Sequence, residues 1–252
     1  MERRELLLKC LGGTSMVLPQ WPVSLVAADP AAKIGSDFGD LMEETWAACC
    51  LGWARSDYGY PIPYLDRAWA LLPPKAGNSV QAVIVEHRKH LLELVRNAEY
   101  SLPDQQAAVE HDPFNWELHY WLAFTIKSAG RNEDALNEYL AVSQTPGCPD
   151  DCLNDIGWCY CRKGMYEVAL GCFERAKTED EGYSIHPYSR RMMTLQNRIL
   201  IYCQLGLRKQ AEEIASEYVH RHGRIGLPER RALAKLGIDA DEIYLRLHPF
   251  RA

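Results

Sequence analysis

The stretch Asp151–Lys177, DCLNDIGWCYCRKGMYEVALGCFERAK, decides how this chain folds. Leu153, Ile156, Gly157 and Tyr160 recur at helical spacing, Gly164 interrupts them, and Tyr166, Ala169, Phe173 and Ala176 resume the pattern. Two short amphipathic helices joined at a glycine are the simplest reading. Gly130 lies 34 residues before Gly164, and aligning the chain on the two glycines aligns much else. Leu122 then pairs with Ile156, Ala123 with Gly157, Ala135 with Ala169, Tyr139 with Phe173 and Val142 with Ala176. Small residues at two of these positions let antiparallel helices approach closely, and the aromatic position fills the space beyond.

A third unit aligns on Gly206, with Leu195, Tyr202 and Ala211 at equivalent positions. It departs at Arg198, where an apolar residue is expected, and at Ala215, where an aromatic is expected. Gly206 lies 42 residues past Gly164, so an insertion is expected within Glu179–His186. The unit at Glu117–Ser143 also varies the pattern, with His119 and Ile126 where aromatics are more usual.

On these residues the chain resembles the tetratricopeptide repeat family, most closely over Asp151–Lys177. The resemblance implies an all-α, right-handed solenoid of antiparallel helix hairpins ending in a C-terminal capping helix, and a non-catalytic module that binds a peptide or partner protein in a concave groove. The first helices of such hairpins line the groove. Carried across, the partner-binding residues are Tyr120, Phe124 and Lys127 in the first unit, Asn154, Trp158 and Arg162 in the second, and Gln196 and Leu200 in the third. Family members that clamp a terminal carboxylate use Lys and Asn where this chain has Tyr120, Phe124, Asn154 and Trp158, so no such clamp is expected. Phe124 and Trp158 instead suggest an aromatic wall, with Asn154 for a backbone amide and Lys127 and Arg162 at the margin. Either that wall is open, or the N-terminal helices fold back and cover it.

The organisation expected is residues 1–35 as a leader or linker, 36–116 as degenerate helical hairpins, 117–220 as three repeats and 221–252 as capping helices. Within the second part, helices are expected over Ser36–Ala54, Tyr64–Leu72, Val80–Tyr100 and from Pro103 to Glu110. Near the end, Pro228 opens a helix, Gly237 stops it, and Asp239 or Asp241 caps another through Leu247.

The N-terminus carries two readings. Arg3, Arg4 and the apolar residues after them look like a twin-arginine export motif, with Val26, Ala27 and Ala28 as a cleavage site, which points to an exported cell-envelope protein acting in assembly. Pro19 and Pro22 break the apolar core of such a leader. The alternative is a short helix at Arg3–Leu11, in a segment resembling the linker ahead of the repeats in bacterial helix-turn-helix regulators. That resemblance implies a cytoplasmic sensor or scaffold in a signalling or regulatory system. No run reaches the length of a membrane span.

A net charge of -6 and an ordinary apolar fraction describe a typical protein of globular class. Nine irregularly spaced cysteines argue for reduced thiols rather than a disulfide scaffold, and Cys161 and Cys203, on successive first helices, are expected to stand too far apart to bridge. Residues 187–252 carry 12 Lys or Arg against 7 Asp or Glu, too small an excess to suggest nucleic acid. No phosphate loop, dinucleotide fingerprint, zinc-protease motif or nucleophile elbow occurs. The sequence therefore points to no enzyme, no cofactor and no metal.

Overall fold

The computed structural model describes residues 36–72, 78–145, 152–176 and 190–248. The export or linker readings of the N-terminus and the insertion expected within Glu179–His186 lie outside the described residues. Eleven α-helices, and no strand, occupy the described residues. They are α1 (Ser36–Arg55), α2 (Ile62–Ala70), α3 (Asn78–His111), α4 (Trp116–Ser128), α5 (Asn132–Ser143), α6 (Cys152–Arg162), α7 (Tyr166–Arg175), α8 (Arg190–Gln204), α9 (Arg208–His222), α10 (Leu227–Lys235) and α11 (Ala240–Leu247). From α1 to α9 each helix packs on the next, and beyond them α10 returns to α8 and α11 to α9. Consecutive packing of this kind is compatible with an all-α solenoid.

The three hairpins α4–α5, α6–α7 and α8–α9 turn in one way. Gly130, Gly164 and Gly206 have φ of 81°, 73° and 70°, a conformation that costs glycine nothing and other residues about 1 kcal/mol or more. Each glycine N–H donates to the carbonyl three residues back, at 2.8 Å to Lys127, 2.9 Å to Cys161 and 3.2 Å to Cys203. The next residue donates five residues back, from Arg131 to Ile126, Met165 to Tyr160 and Leu207 to Tyr202. This paired bonding satisfies carbonyls that the end of the first helix would otherwise leave open.

Inside the hairpins, the small positions admit the large ones. Ala123 and Ala135 are fully buried in one cluster with Tyr139 and Val142. A Cβ added at Gly157 would stand 2.6 Å from Cε1 of Phe173, so the ring lies directly on the glycine backbone. In the third hairpin, Ala211 and Ala215 are fully buried with Ile199, and Tyr218 and Val219 join the same cluster from farther along α9. His119 is also explained: its Nδ1 lies 2.6 Å from Oε1 of Glu138, tying α4 to α5 by charge where an aromatic would tie them by area.

One expectation is corrected. Pro103 does not open a new helix but lies inside α3, which runs unbroken for 34 residues. A proline there forfeits one backbone bond, yet tertiary packing holds both halves of the helix. Ile84 and Leu91 share a core with Leu65 and Ala68 of α2, whereas Leu102 and Val109 pack in the core of α4 and α5. At the far end, Gly237 has φ 68° and the Asp239 carboxylate accepts from the backbone N–H groups of Asp241 and Glu242, stopping α10 and starting α11 as expected.

The chain also meets itself. α1 is joined through α2 and α3 to the start of the stack, and it packs against α10 near the end.

Candidate functional site

The first helices of the three hairpins stand side by side. Between α4 and α6, Lys127 forms an ion pair with Asp155, and the Tyr120 hydroxyl donates to Asp155 at 2.9 Å. Between α6 and α8, the Asn154 amide and the Thr194 hydroxyl exchange bonds of 2.9 and 3.1 Å. These contacts make one continuous wall.

That wall is covered by the chain's own residues. α1 ends at Arg55, and Ser56, with φ 51°, turns the backbone into a loop that lies across α6. Two glycines allow the loop to sit so close. A Cβ at Gly52 would stand 2.5 Å from Pro61 Cγ, and one at Gly59 would stand 3.0 Å from the Gly130 Cα in the α4–α5 turn. Asp57, fully buried, then accepts from Trp158 Nε1 at 3.1 Å and pairs with Arg162 Nε at 3.0 Å. The Tyr60 ring meets Trp158 edge-on with centroids 5.6 Å apart, and the Arg162 guanidinium stacks 4.6 Å above Tyr60.

A second anchor lies deeper. Arg55, 4% exposed, donates from Nε and Nη2 to Asn197 Oδ1 of α8 at 2.9 and 2.5 Å. Burial pushes the Arg55 pKa down, and the field of Glu229 is the first of the acidic groups that oppose it. Glu229, on α10 and 2% exposed, has no hydrogen-bond partner for Oε2. Its pKa is raised by burial, with Arg55 pulling the other way. At the surface of the same seam, Arg231 of α10 pairs with Glu43 of α1.

The residues expected to bind a partner therefore divide. Tyr120, Phe124 and Lys127 are interior, at 3%, 8% and 1% exposure, with Lys127 Nζ 4.9 Å from the Phe124 ring centre. Phe124 is not part of an open aromatic wall. Trp158 is equally buried, under Asp57 and Tyr60, so of the two arrangements open to the sequence the covered one is found for Trp158, whereas Phe124 packs against Lys127 and Trp121 of its own helix. Asn154 is engaged with Thr194, and Gln196 donates to the Tyr218 hydroxyl at 3.4 Å. Of them, Trp158, Arg162 and Leu200 border an opening. It is a cleft of about 370 Å³ between α1 on one side and α6, α8 and α10 on the others.

Sequence reasoning missed Arg55, Asp57, Asn197 and Glu229. Their signal was faint: Ala47, Ala48 and Gly52 make one stretch of α1 small enough to lie close to other backbone. Cleft chemistry is quiet. Burial pushes the Cys161 and Cys203 thiols up to about 12, so both stay protonated and are poor nucleophiles. Both are free thiols, as are the other described cysteines. Among the described residues no helix is long and apolar enough to cross a membrane. No family model matches the sequence, and no curated protein matches it.

Proposed function

We propose that this chain is a non-catalytic interaction module of tetratricopeptide type, the sensor or scaffold part of a bacterial regulatory system, whose wall of first helices receives a helical segment. One observation carries the reading: the chain's own residues already sit on the wall, the end of α1 through Arg55 to Asn197 and the loop after it through Asp57 to Arg162 and Trp158, while Glu43 ties α1 to Arg231 of α10. Buried rings with a few placed polar groups are the usual makeup of a helix-receiving surface. A partner's segment would enter by exchanging with α1, so α1 and the partner compete for one place.

The test is a photo-crosslinking amino acid at Leu200, with and without Arg231→Glu to weaken the hold on α1. In the source cells the reading expects an adduct to a second polypeptide that increases several-fold in the Arg231→Glu background. Adducts confined to the chain itself in both backgrounds would remove the reading.

A further inference from the structure

The cleft left between α1 and the wall has a composition of its own. Its volume of about 370 Å³ falls in the range of small-molecule sites. Ala47 and Ala48 are what keep it empty, because larger side chains on that face of α1 would fill it. Its apolar lining comes from Trp158 and Tyr60, whose rings meet edge-on, and from Leu51 and Leu200.

Its polar lining is rich in donors. Asn197 gives its Oδ1 to Arg55, which leaves the Nδ2 group as the end still able to bond. The Tyr60 and Tyr64 hydroxyls lie 3.3 Å apart, so one proton is spent between them and the other can be donated elsewhere. Burial and the Tyr64 hydroxyl raise the Tyr60 pKa, keeping that hydroxyl a donor. Arg162 uses Nε on Asp57 and has two further nitrogens. Lys235 stands exposed at the mouth with no ion pair among the described residues. Of the cations that line it, Arg162 is paired with Asp57 and Arg231 with Glu43, and the one carboxylate of the lining is Glu44.

We propose that this cleft is a binding site for a small organic anion with a planar apolar body, its charge toward Lys235 and Arg162 and its ring against Trp158 and Tyr60. Such a ligand would touch α1, α6, α8 and α10 together and so hold α1 in place. Its affinity for the covered form alone would then oppose exchange of α1. Binding in the cleft itself does not need the partner reading, and either can fail without the other.

The experiment is calorimetric titration of the full chain with 1-naphthoate, and with 1-naphthamide and 1-naphthylmethylammonium as neutral and cationic counterparts. The expected result is one saturable naphthoate site, at least about tenfold tighter than the amide, with no saturable binding of the cation. Lys235→Glu, on an exposed position, should weaken naphthoate by about tenfold and leave the amide unchanged. Ala47→Phe should abolish binding of both while helical content is retained; should it fail to fold, Lys235→Glu still decides. Equal affinity for naphthoate and naphthamide, naphthoate binding unaffected by Lys235→Glu, or no saturable naphthoate binding at millimolar concentration would each overturn the proposal.

Discussion

The interior of the hairpins and the contacts that anchor the end of α1 and its loop to the wall are both well buried, yet they are held together differently. Within a hairpin, Ala123 and Ala135 share a core with Tyr139, and Phe173 rests on Gly157. The contacts are apolar and local, and they recur with the repeat. Across the seam, Arg55 reaches Asn197 from 142 positions away and Asp57 reaches Trp158 from 101 positions away. Those contacts are polar, buried and made once. A repeated apolar contact can lose one instance and keep its neighbours, whereas a buried charge that loses its partner has no alternative in a low-dielectric setting.

The sharpest way to break this contrast is at Arg55. Arg55→Met removes both bonds to Asn197 Oδ1 and the cation whose field opposes the burial of Glu229, and should cost about 1.5–3 kcal/mol, the usual worth of a hydrogen bond to a charged group. Urea unfolding midpoints measure it. Arg55→Met with Glu229→Gln should recover part of the loss, and a double variant no better than the single one would mean that the two charges do not interact.

Inside a hairpin, the matching change is Gly157→Val. The new side chain would collide with the Phe173 ring, at a cost of about 1–3 kcal/mol. Phe173→Leu in the same chain should restore part of it. An equal effect from Gly171→Val, where an added Cβ meets nothing within 4 Å, would show that the loss comes from helix propensity rather than from packing.

The smallest effect concerns His119, which ties α4 to α5 by charge. Burial opposes its charged form, but the Glu138 carboxylate and the Pro113 carbonyl outweigh it, so its pKa is raised above the usual 6.5. A histidine with a raised folded-state pKa contributes its stability fully below the unfolded value and loses it as pH rises through the folded value. Unfolding midpoints at pH 5.5 and 8.5 should therefore differ by under about 1 kcal/mol from this pair, and Glu138→Gln should remove that difference.

The hairpins were legible because each is repeated. The spacing of Gly130, Gly164 and Gly206 announced three turns of one geometry, and the turns share φ and hydrogen bonding. Pro103 misled because a local rule for helix starts was applied where cores on both sides of α3 outweigh it. The candidate wall was legible as a set of first-helix residues, and a cover from the N-terminal helices was one of two arrangements open to the sequence, but the residues that make it were not legible. Asp57 follows the end of a helix in a loop of Tyr, Gly and Pro, and nothing in its spacing points to Trp158. Contacts between aperiodic, distant residues leave no pattern in one sequence.

The most direct test of the covered wall is the exchange of indole N–H protons followed by NMR, with Trp158 compared to Trp69. Trp69 is 48% exposed, while Trp158 is 6% exposed and donates its Nε1 proton to Asp57. Assigned through Trp158→Phe, the Trp158 proton should exchange at least about a hundredfold more slowly than that of Trp69, since it is released only when the loop and α1 lift. Equal exchange rates for the two would mean that the wall lies open and that α1 does not cover it.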